Sequence, residues 1–117
     1  MKYMLLIYLD EQALNETERE KCYAESTQLA HDLKQSGQFL ATAPLQPVAM
    51  STSVRVRDGK RLITDGPFAE TREQLGGYFL VDAKDLDGAI NIAGRIPGAR
   101  VGTVEIRPVI ELPGVPD

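Results

Sequence analysis

Residues 3–9, Tyr-Met-Leu-Leu-Ile-Tyr-Leu, form an unbroken apolar run. Its length fits a strand buried on both faces. Asp10 to Leu14 reads as a loop. Asn15 follows, with Glu18 three positions on, an Asn variant of the capping box. Cys22, Ser26, Leu29 and Leu33 then recur at helical spacing, with Tyr23 and Ala30 widening the stripe. Gly37 stands where a helix stop belongs. The pattern predicts one amphipathic helix over 16–36. Gln38 to Thr42 is a short second strand, and Pro44 and Pro47 break it. Ser51 to Arg57 alternates, with Val54 and Val56 on one face and Arg55 and Arg57 on the other. Asp58-Gly59 comes next and predicts a two-residue hairpin turn, because a type I′ turn needs positive φ at both central positions. That turn pairs Val54 with Ile63, Arg55 with Leu62, and Arg57 with Lys60. Gly76 to Asp82 is a strand apolar on both faces. Asp85 caps a second helix in which Leu86, Ala89, Ile90 and Ala93 share one side, and Pro97-Gly98 ends it. Thr103 to Val109 is the last strand, with Glu105 and Arg107 alternating against Val104 and Ile106. Residues 111–117 form an irregular tail.

Without the hairpin, the order is strand, helix, strand, strand, helix, strand. The expected fold is therefore α+β: a ferredoxin-like βαββαβ domain over 1–117 with an inserted β-hairpin. Right-handed crossovers put both helices on one face of the sheet. The strands at 3–9 and 76–82 become the central pair, and the charged last strand falls at an edge. Tyr3, Leu5, Ile7 and Leu9 then point to one side of the sheet and Met4, Leu6 and Tyr8 to the other, so some of these side chains lack helix cover. An apolar patch of that size marks an interface. The simplest cover is a second copy, sheet against sheet about a two-fold axis, so the expectation is a homodimer. The alternative is that residues 44–75 fold back over the open face.

Composition narrows the partners. The 117 residues are 43% apolar and 26% charged, as in folded soluble proteins. A net charge of −4 disfavours nucleic acid, which needs a basic surface. No apolar run approaches the length of a membrane span, and the first residues lack a signal-peptide pattern, so the expected location is the cytoplasm. Cys22 is alone, which excludes an internal disulfide, and it reads as a small core residue. His31 is also alone, on the polar side of the first helix, so no metal and no cofactor is expected.

The most distinctive segment is Asp65-Gly66-Pro67-Phe68, which resembles the signature of the DGPF proteins, a branch of the YCII-related family. The resemblance extends to Met1-Lys2-Tyr3-Met4, Val54-Arg55, Glu70, Glu73, Gly76-Gly77-Tyr78 and Glu105-Ile106-Arg107-Pro108. It implies a dimeric α+β barrel of two ferredoxin-like halves. Members are mostly uncharacterised, and some similar domains are encoded beside alternative sigma factors. A few relatives are small-molecule lyases or dehydrochlorinases that use a His/Asp pair around the first helix. Registering Gly37 on them puts Ser26 where their His falls and a non-acidic residue, near Gln35, where their Asp falls. The His-dependent mechanism is therefore not carried over.

Asp65 and Glu70 are the catalytic candidates. Asp65 shares a strand face with Ile63 and Val54, where partial burial would raise its pKa and suit a general base; its plainer role is to cap the turn that follows. Glu70 shares a face with Glu73 if 67–74 make a helical turn, and otherwise lies in a solvated loop. Arg55, Phe68, Tyr78 and Arg107 are the ligand-binding candidates. An arginine on the open side can grip a carboxylate or phosphate, or simply form an edge-strand ion pair. The leading expectation is a small-molecule ligand held between the open sheet face and the signature loop, with proton transfer or elimination as the chemistry. The alternative is a regulatory module that binds a protein partner in sigma-factor-dependent transcription. A polar cavity enclosed by Asp65, Glu70, Tyr78 and Arg107 favours the first, and exposure of those side chains favours the second.

Overall fold

A computed structural model describes residues 1–116. Along the chain run β1 (Lys2–Leu9), α1 (Glu16–Gln35), β2 (Phe39–Pro44), β3 (Thr52–Arg57), β4 (Lys60–Asp65), β5 (Gln74–Asp82), α2 (Leu86–Ala93), α3 (Gly98–Val101) and β6 (Thr103–Pro108). Four strands form an antiparallel sheet in the order β2-β5-β1-β6, and β3 and β4 form a separate two-stranded sheet. This mixed α+β arrangement, with three helices, is compatible with a ferredoxin-like fold. The two doubly apolar segments are its central strands, as their patterns require.

The faces of that sheet differ. Tyr3 lies opposite Val81 and Leu5 opposite Phe79, and all four are buried. They share one core with Leu29 and Leu33 of α1, with Ala89, Ile92 and Ala93 of α2, and with Ile96. On alternate positions Met4 faces Leu80 and Leu6 faces Tyr78. These four are only half-buried, because no helix covers that side.

Local signals set the helix ends. The Glu18 N–H donates to Asn15 Oδ1 (2.8 Å), and the Asn15 N–H donates to Glu18 Oε1 (3.0 Å), which completes the capping box. At the other end the Gln38 N–H reaches the Leu33 carbonyl and the Gly37 N–H reaches that of Lys34, a Schellman motif. Asp85 accepts from the Gly88 N–H (2.9 Å) and starts α2. That helix stops at Ala93, earlier than its pattern predicts, and Pro97-Gly98 opens α3 instead of ending α2. Pro97 has φ −55°, a value already suited to a helix start. None of these helices is long and apolar enough to cross a membrane.

β3 and β4 pair in the register that a two-residue turn demands, Val54 against Ile63 and Arg57 against Lys60. Both turn residues have positive φ, 53° at Asp58 and 75° at Gly59. Every residue of the two strands except Ser53 is exposed, so this arm packs on neither face of the main sheet. Its reach enlarges the molecule: the radius of gyration is 16.0 Å, against about 13 Å for a compact chain of this length.

Candidate functional site

α1 has 20 residues, yet its buried side chains, Leu29 and Leu33, both lie in its C-terminal half. The same stripe in the N-terminal half carries Cys22 and Ser26, too small to fill the space beneath them. The floor below carries the apolar side chains of Ile7, Leu9, Phe79 and Ile96, with Gly76 and Gly77 of β5 and Gly98 of α3 between them. A void results where facing elements cannot interdigitate. It is a cleft of about 770 Å³ between α1, the ends of β1, β2 and β5, and α3. Residues 44–47 and Ala49, with Leu14, form its end wall. Gly77 is also required by close approach, since a Cβ there would stand 3.0 Å from the Ala43 carbonyl oxygen.

The polar groups of the cleft are mostly engaged. Thr42 Oγ1 donates to the Tyr78 carbonyl and Thr27 Oγ1 to that of Tyr23, both at 2.8 Å. Glu11 Oε2 accepts from the Val48 N–H (2.9 Å), which ties the first loop to the end wall. The Ser26 hydroxyl and the Cys22 thiol have no hydrogen-bond partner among the described residues, and both are half-buried.

Cys22 is thus a wall of the cleft, where the stripe alone suggests a core residue. Burial, and then the Glu25 carboxylate, push its thiol above the ordinary value; Glu18 adds to this and Arg100 opposes it. Arg100 is itself held by Glu25, through Nη2 contacts of 3.0 and 2.8 Å to the two carboxylate oxygens. The neutral thiol therefore predominates at pH 7, and it is a weak nucleophile. Iodoacetamide is expected to alkylate Cys22 slowly at neutral pH, with a rate–pH midpoint above that of a free thiol. Glu25→Gln lowers that midpoint and Arg100→Gln raises it.

None of the six candidate site residues, Asp65, Glu70, Arg55, Phe68, Tyr78 and Arg107, lines this cleft. Asp65 is exposed at the end of β4, opposite Thr52, and its carboxylate holds no hydrogen bond among the described residues. The signature turn is fixed instead by the Gly66 N–H on the Ser51 carbonyl and by Ser53 Oγ on the Gly66 carbonyl, both at 2.8 Å. Glu70 is exposed, and residues 67–74 form no helical turn, so it does not share a helix face with Glu73. Glu73 accepts from Thr103 Oγ1 (3.0 Å), which anchors the loop to β6. Arg55 and Phe68 do come together, beside Ser53, Leu62, Thr64 and Pro67, in a smaller recess of about 230 Å³ on the arm. Tyr78 is half-buried on the open sheet face. Arg107 shares that face at the edge strand, 3.9 Å from Glu105 in an exposed ion pair. A single chain therefore does not gather Asp65, Glu70, Tyr78 and Arg107 around one cavity.

Against known proteins, the model of the YCII-related domain matches residues 1–113. The chain belongs to the YCII-related family. One relative, an uncharacterised protein of Rhizobium meliloti (strain 1021), is 32% identical over 114 residues, which cover 93% of this chain and 92% of that protein. In this YCII-related domain the helix position that the sequence resemblance aligns with a histidine is Ser26, on the roof of the cleft.

Sequence reasoning missed this site because it followed charge. The signal was present in the first helix: a stripe that starts with Cys22 and Ser26 and ends with Leu29 and Leu33 is apolar enough to face a sheet, but only half of it can fill one.

Proposed function

We propose that this YCII-related domain binds a small, largely apolar molecule in the cleft beneath the N-terminal half of α1, and that it works as a homodimer joined sheet to sheet. The cleft carries the binding reading. Its volume, about 770 Å³, falls among small-molecule sites, and its lining is mostly apolar with a few fixed polar groups. Binding, rather than covalent catalysis, is favoured by the neutral Cys22 thiol and by Ser26, which has no histidine beside it to take its proton. The uncovered sheet face supports the dimer: Met4, Leu6, Tyr8, Tyr78 and Leu80 form a continuous half-buried patch on one side of the sheet. A two-fold mate against that patch closes a dimeric α/β barrel.

The neutral fluorophore N-phenyl-1-naphthylamine tests the cleft. We expect saturable binding that Ser26→Phe abolishes while the circular dichroism spectrum is unchanged. Binding that survives Ser26→Phe overturns the reading, as does the absence of saturable binding to the unaltered protein. Light scattering at micromolar concentration tests the assembly. Twice the chain mass is expected, and Leu6→Asp is expected to return the mass of one chain. A monomeric unaltered protein would favour the second reading, a module that docks on another protein. The observation behind that reading is the exposed arm, where Val54, Ile63 and Phe68 are 59%, 60% and 78% exposed.

A further inference from the structure

We propose that the ligand of the cleft is an amphipathic anion, an apolar body carrying a carboxylate or sulfonate-like head, and that Arg19 binds the head. This rests on the binding reading of the cleft and assigns its polarity.

Arg19 lies in the first turns of α1, on the wall of the cleft, and is half-buried. It is the sole cation among the lining residues. All the other arginines and lysines except Lys2 are exposed, and none of them lines the cleft. Arg95 pairs with Asp32, Arg100 with Glu25, and Lys2 with Glu111, all outside the cleft. Arg19 takes part in no ion pair among the described residues. Its one contact is a long hydrogen bond, 3.3 Å, from Nη2 to the Leu14 carbonyl. A guanidinium has five N–H donors in a planar fork, so most of them remain free for a ligand. The lining also holds one carboxylate, Glu11, which keeps its charge but is turned to the end wall, where its Oε2 accepts from the Val48 N–H (2.9 Å); neither it nor Glu18, which closes the capping box, forms an ion pair with Arg19 among the described residues. A partly desolvated cation above an apolar floor attracts an anion more strongly than a solvated one, because water competes less. The guanidinium fork also matches a carboxylate or sulfonate in bidentate geometry. The rest of the wall, from Ile7 and Phe79 to Pro44, Leu45 and Val101, suits the apolar body.

The test uses two dyes that share one aromatic body. One is 8-anilinonaphthalene-1-sulfonate, and the other is N-phenyl-1-naphthylamine, which lacks the sulfonate. The anionic dye is expected to bind the full chain about tenfold more tightly than the neutral one. Arg19→Gln is expected to weaken the anionic dye about tenfold more than the neutral one and so erase that difference, and Arg19→Lys to keep part of it. Raising the salt concentration is expected to weaken only the anionic dye. Equal binding of the two dyes overturns the assignment, as does an Arg19→Gln protein that still prefers the anion. In either case binding of the neutral dye, lost in Ser26→Phe, leaves the cleft reading standing. If neither dye is displaced by Ser26→Phe, the cleft reading falls as well.

Discussion

Gly102→Ala is expected to destabilise the protein by about 3 kcal/mol or more, a large part of the margin of a domain this size. Gly102 joins α3 to β6 and passes over the end of β1. A Cβ at this position would stand 2.0 Å from the Tyr8 carbonyl oxygen and 2.9 Å from the Leu9 Cα. Both are backbone atoms, so no rotamer change can make room. Relief requires β6 to part from β1, which strains the pairing of Tyr8 with Thr103. Urea unfolding is the measurement, with both proteins at the same concentration because the midpoint of any self-associating protein depends on it. An unchanged midpoint would mean that this crossing is looser than described.

Phe79→Ala is the second large effect, expected at about 3–5 kcal/mol. Phe79 is 1% exposed and lies in β5 between Leu5 of β1 and Thr42 of β2. Its loss removes the largest fully buried side chain, and the neighbouring strands cannot collapse into the space, because their hydrogen bonds hold the sheet spacing. Phe79 also lines the cleft. The vacancy therefore joins an existing hollow, and the variant should bind bulkier apolar dyes than the unaltered protein. Phe79→Leu keeps most of the volume and should lose less than half as much stability in the same unfolding assay.

These two positions also mark what the sequence could and could not disclose. The strand containing Phe79 was legible because it is apolar on both faces, and such a strand belongs in the middle of a sheet. The same rule located residues 3–9, and the charged alternation of Glu105 and Arg107 located an edge. Asn15, Gly37, Asp58-Gly59 and Asp85 acted through local backbone chemistry, which needs no knowledge of the rest of the chain. Gly102 was not legible in this way. Its requirement comes from Tyr8 and Leu9, more than ninety positions earlier, and no periodicity encodes a crossing. The cleft was hidden for a related reason. A void is a relation between Cys22 and Ser26 on one element and the walls that other elements supply. Read singly, each is an unremarkable small residue. Asp65 and Glu70 drew attention because charge beside a rare motif is visible in one dimension, whereas their exposure is a property of three.

The sheet order bears on how the chain is made. β1 is synthesised well before both its neighbours, β5 and β6, which begin at Gln74 and Thr103. Its pairing must close loops of about seventy and about a hundred residues, so contact order is high and folding correspondingly slow. During synthesis this greasy segment waits unpaired until Gln74 to Asp82 has emerged, and its other edge stays open until Thr103 to Pro108 follows. It is thus the stretch of the nascent chain most in need of a chaperone.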